Sequence, residues 1–165
     1  MAKVGLIMGS KSDFEVVKEC IDTLKSFGVE SDVIVSSAHR TPEQTVEWTK
    51  SAKSKGISVI VAFAGAAAHL AGVVASKTNL PVIAVPIAST TLGCLDSLLS
   101  SVQMPGGIPV ATMAIGKAGA KNAALYACQI IALNDNVLYE KLEQYRKDMA
   151  EKITKDNQSL ADLLK

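Results

Sequence analysis

The chain has 165 residues, a formal net charge of +1, 48% hydrophobic residues and three cysteines. That length suits one domain able to bury a core without disulfides or metal, and the balanced charge, with no basic run, argues against nucleic acid or an anionic membrane as partner. Cys20, Cys94 and Cys128 lie far apart without CxxC spacing, which excludes a disulfide framework and a zinc site and suits a reducing compartment.

In chain order, residues 4–8 (Val-Gly-Leu-Ile-Met) read as a strand, too short for a secretory h-region. No stretch is long and apolar enough to span a bilayer, so a cytoplasmic protein is expected. Gly9-Ser10-Lys11-Ser12-Asp13 turns the chain into a helix reaching Phe27, with Phe14, Val17, Ile21 and Leu24 at helical spacing. Ser12 is the expected N-cap, Glu15 completes a capping box, and Gly28 is the expected C-cap. Residues 29–36 form a second strand, read as buried, which ends in Ser36-Ser37-Ala38-His39-Arg40. Thr41 then caps a helix opened by Pro42, running to about Lys55 and closed by Gly56.

Residues 57–64 are a third, almost uninterrupted apolar strand, as expected where both faces of a parallel sheet are covered. The Ala- and Gly-rich stretch 66–77 reads as helical, and residues 82–85 as a fourth strand ending at Pro86. Ser89-Thr90-Thr91-Leu92-Gly93 is a loop and residues 95–102 a short helix. Pro105-Gly106-Gly107 leads to a fifth strand over 109–115, Gly116-Lys117-Ala118-Gly119 to a helix over 120–133, and a last helix runs from Val137 to about Leu164.

Alternating strands and helices with short links predict a five-stranded parallel sheet with right-handed crossovers, hence a three-layer α/β/α sandwich with an extra C-terminal helix. One domain over 1–165 is expected, an α/β core over 1–133 carrying a helical arm over 134–165. From residue 56 to 134 the only formal charges are Lys77, Asp96, Lys117 and Lys121, whereas the remainder is densely charged. Helices so poor in polar faces point to a homo-oligomer with the stretches 66–77 and 118–133 at subunit interfaces; the alternative is a helix buried within one domain.

Ligands of such a fold belong at the C-terminal edge of the strands, where the polar loops fall. Gly9-Ser10-Lys11-Ser12-Asp13 can offer backbone N–H groups and hydroxyls to an anion, with Asp13 left for sugar hydroxyls, or it is simply a capped turn. The chain has two histidines and two arginines, so the adjacent pair His39-Arg40 concentrates scarce chemistry at one strand end. Histidine suits proton transfer near neutrality and arginine suits phosphate, against a structural loop histidine and ion pair. The small residues of Gly65-Ala66-Ala67-Ala68-His69 let a ligand approach the backbone, or pack tightly as a helix start. No cluster has metal-ligand spacing, and no metal is expected.

Taken together, Gly9-Ser10-Lys11-Ser12-Asp13, Ser37-Ala38-His39-Arg40-Thr41-Pro42, Ala67-Ala68-His69-Leu70, Asp96-Ser97-Leu98-Leu99-Ser100, Val102-Gln103-Met104-Pro105 and Ala114-Ile115-Gly116-Lys117-Ala118-Gly119-Ala120 closely resemble the N5-carboxyaminoimidazole ribonucleotide mutase family of de novo purine synthesis, over nearly the whole chain. The resemblance implies a flavodoxin-like fold, a homo-octamer with sites built from neighbouring subunits, and functional coupling to an ATP-dependent synthetase that supplies the nucleotide substrate. It implies that Ser10, Ser12, Asp13, Ser37 and Arg40 hold phosphate and ribose, that Gly65, Ala66, Ala68, His69 and Leu70 receive the migrating carboxylate, and that His39 transfers the proton, without metal or organic cofactor.

Two positions depart from the family pattern, Ala66 where a second Gly is usual and Ala71 where Pro is usual. A tighter pocket and a less rigid loop are expected there. A related branch that carboxylates aminoimidazole ribonucleotide directly with CO2 typically carries Arg-Ser-Asn where this chain has Ala67-Ala68-His69, which favours the mutase branch. The remaining alternative is a non-catalytic nucleotide-binding module on a flavodoxin-like scaffold.

Overall fold

The computed structural model describes residues 2–89 and 92–164. Five strands, β1 (Lys3–Met8), β2 (Glu30–Val35), β3 (Ile57–Gly65), β4 (Val82–Ile87) and β5 (Ala111–Thr112), form one parallel sheet in the order β2-β1-β3-β4-β5. Six helices accompany them: α1 (Phe14–Phe27), α2 (Pro42–Ser51), α3 (Leu70–Ala75), α4 (Leu95–Val102), α5 (Gly116–Ala132) and α6 (Asn136–Leu163). The fold is the expected flavodoxin-like α/β/α sandwich.

Alternation along the central strands divides the core between two faces. Leu6, Met8, Val61 and Phe63 meet Val17, Cys20 and Leu24 of α1 and Ala120, Ala124 and Cys128 of α5. Ile7, Ile60 and Ala62 face the other way, onto Trp48 of α2 and Leu70 and Val74 of α3. A side chain at Gly5 would come within 2.8 Å of the Trp48 ring, so the absence of a Cβ there lets α2 sit close to β1. All three cysteines are buried and free. Ala120, Ala123, Ala124 and Ala127 of α5 are fully buried in the core shared with α1 of this chain, so that face of the helix is accounted for without a second subunit.

Several boundaries differ from expectation. β2 lies at the sheet edge, and Val33 and Val35 are 42% and 48% exposed, so the His39-Arg40 loop follows an edge strand and not a buried one. β4 continues through Pro86 to Ile87, because β5 pairs only with Ile83 and Ala84 and leaves the Pro86 nitrogen with no ladder bond to make. β5 is two residues long, shorter than the expected 109–115. α5 starts four residues before the expected Ala120: Gly116 enters at φ 71°, and a Cβ on Gly119 would stand 1.6 Å from the Ala114 carbonyl oxygen, a seat that only glycine fits. The helix expected over 66–77 spans only Leu70–Ala75, preceded by a loop.

α6 is capped by Asp135, whose carboxylate accepts the Leu138 N–H at 3.0 Å. Its 28 residues extend about 42 Å at helical rise. Leu138 and Leu142 are buried on the core, whereas Met149, Ile153 and Leu160 are exposed. Among the described residues, no helix is long and apolar enough to cross a membrane.

Candidate functional site

Every strand of a parallel sheet delivers its following loop to the same edge. Here the loops after β1, β2, β3 and β4 enclose a cleft of about 360 Å³, lined by Ser10, Ser12, Asp13, Ser37, His39, Arg40, Gly65, His69, Leu70 and Ser89. A larger groove of about 790 Å³ at the N-terminal ends of β4 and β5 is lined by Lys50, Lys77 and Tyr126 among others, with no histidine or carboxylate. Both histidines and the Asp13 carboxylate line the smaller cleft.

The β1–α1 loop is one short 3-10 turn, Lys11–Asp13. It moves the cap two residues ahead of the expected Ser12: the Ser10 hydroxyl oxygen accepts the Ser12 N–H at 3.3 Å, and Asp13, at the N-cap of α1, makes no side-chain cap bond. Because α1 starts at Phe14, one residue later than a cap at Ser12 requires, the Ser12/Glu15 capping box does not form. The Ser12 hydroxyl instead lies 2.9 Å from Ser10 Oγ and 3.3 Å from Asp13 Oδ1. Burial pushes the Asp13 carboxyl above its ordinary range, against the opposing pull of the Ser12 hydroxyl, the Ser10 backbone and the Arg40 charge.

The β2–α2 loop is closed by hydroxyls. Pro42 occupies the first turn of α2 as expected, but the Thr41 side chain makes no helix cap. Its Oγ1 accepts the Ser37 N–H at 2.9 Å and lies 3.1 Å from Ser36 Oγ, which in turn meets Thr45 Oγ1 at 2.8 Å. Ser36 and Thr45 are buried, so this chain of hydroxyls roots the loop in the fold while His39 and Arg40 remain exposed at its tip. Arg40 stitches two loops together, donating from Nη2 to the Gly9 carbonyl at 2.7 Å and from Nε to Ser37 Oγ at 3.3 Å. Nη1 and one Nη2–H face no partner among the described residues, which leaves donors for an anion.

The β3–α3 loop is shaped by its backbone. A Cβ on Gly65 would sit 2.0 Å from Ser89 Oγ and 3.1 Å from the Ile87 carbonyl oxygen. Ala66 stands at φ 53°, a left-handed conformation costly for any residue with a Cβ. The Ala68 N–H donates to Ser100 Oγ at 2.9 Å and the His69 N–H to the Ala67 carbonyl at 2.8 Å. These two backbone donors are therefore engaged within the chain. His69 projects across the cleft, its Nδ1 3.0 Å from His39 Nε2 with the rings perpendicular.

Of the residues singled out in the sequence, Ser10, Ser12, Asp13, Ser37, His39, Arg40, Gly65, His69 and Leu70 line one cleft. Ala66 and Ala68 do not: Ala66 bends the loop, and Ala68 is buried beneath it. Sequence reasoning did not single out Ser89, Ser100 or the Ser36–Thr45 hydroxyls. Ser100 belongs to the quoted Asp96–Ser100 motif, but nothing in that motif names its partner. Thr90 and Thr91 of the β4 loop lie outside the described residues. Among the described residues, no group of three or more His, Cys, Asp and Glu is arranged to hold a metal ion.

A family model described as AIR carboxylase matches residues 3–152. The chain is similar to N5-carboxyaminoimidazole ribonucleotide mutases of Saccharolobus solfataricus (54% identical, covering 90% of this chain and 93% of the relative) and Pyrococcus horikoshii (52%, covering 97% and 89%). The mutase of Bacillus subtilis is 50% identical, with 95% and 97% covered. In structure it resembles Treponema denticola PurE, with a TM-score of 0.88, 31% identity, and 97% of this chain and 99% of that chain covered. With nearly its whole length matched in sequence and fold, this chain belongs to the AIR carboxylase family.

Proposed function

We propose that this chain is an N5-carboxyaminoimidazole ribonucleotide mutase, acting in de novo purine synthesis, and that His39 is its proton shuttle. The observation that carries the reading is the division of one cleft into two chemistries. Hydroxyls, Asp13 and Arg40 stand on one side and small residues on the other, with His39 between them. Arg40 and the hydroxyls of Ser10, Ser12 and Ser37 hold the phosphate, Asp13 accepts from the ribose hydroxyls, and the carboxylate lies beside Gly65, bordered by His69 and Leu70, on a loop that Ala66 bends and beneath which Ala68 is buried.

The steps balance within the substrate and one imidazole. Protonated His39 gives its proton to the exocyclic nitrogen as the carbamate C–N bond breaks and CO2 leaves. C4 of the electron-rich aminoimidazole attacks the trapped CO2, forming the C–C bond. Neutral His39 then removes the C4 proton, restoring aromaticity and its own starting state. Confinement turns recapture of CO2 into an effectively intramolecular step, and the scheme calls for neither metal nor organic cofactor.

The same reading includes a cytoplasmic homo-octamer and functional coupling to an ATP-dependent synthetase. The exposed apolar side chains of Leu95, Leu99 and Val102 on α4 and of Met149 and Ile153 on α6 support assembly. His39 and Arg40 at an open cleft suit closure by a neighbouring subunit. Light scattering of the purified chain reads the assembly directly.

A second reading, direct carboxylation of aminoimidazole ribonucleotide with CO2, is favoured by the description of the matching family. Both activities are assayed on the purified protein: rapid interconversion of the N5-carboxy and 4-carboxy nucleotides with little carboxylation in bicarbonate is the expected result, and carboxylation alone would replace the first reading with the second. His39→Asn is expected to keep the fold and lower kcat by about 10³-fold; retained turnover would remove His39 from its role.

A further inference from the structure

No carboxylate among the described residues hydrogen-bonds the His39 ring. Among the described residues, Asp13 is bonded to the Ser12 hydroxyl, Arg40 to Gly9 and Ser37, and the one side chain that hydrogen-bonds the His39 ring is His69, through its Nδ1 at 3.0 Å. A carboxylate or carbonyl usually fixes the tautomer of a working imidazole. Here a second imidazole stands in that position, itself held by the His69 N–H on the Ala67 carbonyl and the Ala68 N–H on Ser100 Oγ.

We propose that His69 is a positioning residue for the proton shuttle: its Nδ1 accepts the Nε2–H of His39 and so fixes His39 in the tautomer whose free nitrogen is Nδ1. The proposal rests on the mutase reading of the site. In the neutral pair one hydrogen, and only one, lies between the two nitrogens, since two lone pairs repel and two N–H groups collide. Its direction follows from imidazole chemistry. If His39 donates, both rings carry their hydrogen on Nε2, the tautomer preferred by a free histidine side chain. If His69 donates, both rings are forced into the less favoured Nδ1–H form. The geometry therefore leaves His39 Nδ1 as the base that receives the C4 proton. Once it does, His39 is an imidazolium whose Nε2–H makes a charge-assisted bond to His69. The Nδ1 proton goes on to the exocyclic nitrogen of the next substrate, and the Nε2 hydrogen never leaves the pair.

The test joins spectroscopy with kinetics on the full-length protein. Imidazole 15N NMR of the resting wild type above pH 8, assigned with His39→Asn and His69→Asn, is expected to show His39 protonated at Nε2 and unprotonated at Nδ1. His69→Leu removes the acceptor at similar size and is expected to lower kcat by about 10- to 100-fold, a larger factor than any rise in KM. His69→Asn puts an amide oxygen where Nδ1 stood and is expected to recover most of the loss, a rescue that a merely space-filling role would not give. His39 found protonated at Nδ1, or unchanged kcat in His69→Leu, would overturn the proposal. If His69→Leu does not fold, the 15N spectrum and the His69→Asn kinetics decide. A wild type without mutase turnover would instead overturn the reading of function, with the tautomer still read independently.

Discussion

In the proposed site, the two halves of the cleft work by opposite means. Around Ser10, Asp13, Ser37 and Arg40 the side chains themselves carry the chemistry, and a substitution removes a donor, an acceptor or a charge. Around residues 65–69 almost no side chain carries chemistry apart from His69. What matters is the path of the backbone, imposed by neighbours outside the loop: Ser89 and the Ile87 carbonyl against Gly65, and Ser100 beneath Ala68. The first half should fail by losing affinity and the second by losing shape.

The largest departure from wild type is expected on the polar side. Arg40→Ala removes the stitch between two loops as well as the proposed phosphate donor, and KM should rise about 100-fold, as befits a charged hydrogen-bonding group; a KM within threefold would deny Arg40 its role. On the other side, Gly65→Ala drives a methyl into Ser89 and should cost about 2 kcal/mol of stability with loss of kcat, seen by denaturant titration and steady-state assay.

Asp13→Asn should raise KM about tenfold yet melt at a higher temperature at pH 7. Burial holds the wild-type carboxyl above its ordinary 3.8, so its ionisation costs the folded state stability as pH climbs through the window above that value. The gap between variant and wild type should therefore close as pH falls toward 3.8. Melting curves at two pH values test the sign.

The remaining two are smaller. Ser100→Ala leaves the Ala68 N–H without its acceptor and should cost about 1 kcal/mol, read by chemical denaturation. Ala66→Gly relieves a left-handed alanine at the entropic cost of a glycine and should gain about 0.5 kcal/mol; a loss would show that the methyl packs usefully.

This division also explains what could be read from the sequence. His39, Arg40, Asp13 and the serines announce themselves by residue type at strand ends, and the βα alternation carries them to one edge. The shape of the small-residue loop depends on Ser100, which is 32 positions from its partner Ala68, and on a positive φ at an alanine, which residue type disfavours. The exposure of β2 escapes a sequence reading for a related reason. Val33-Ile34-Val35 has the composition of an interior strand, but its place at the edge is decided by strand order, a property of the whole chain. The early start of α5 is, by contrast, a local effect: Gly116 turns the chain at positive φ and brings the Ala114 carbonyl, just upstream, against Gly119.

The buried cysteines have a consequence of their own. Burial pushes the Cys128 thiol up to about 11, and burial together with the neighbouring Cys128 pushes Cys20 higher still. With their sulfurs sealed between α1 and α5, neither offers a thiolate to an electrophile while the helices stay together. The rate at which a disulfide reagent labels Cys20 and Cys128 should therefore follow the opening of that helix pair, giving a native-state clock for the core that needs no inserted probe and leaves the cleft untouched.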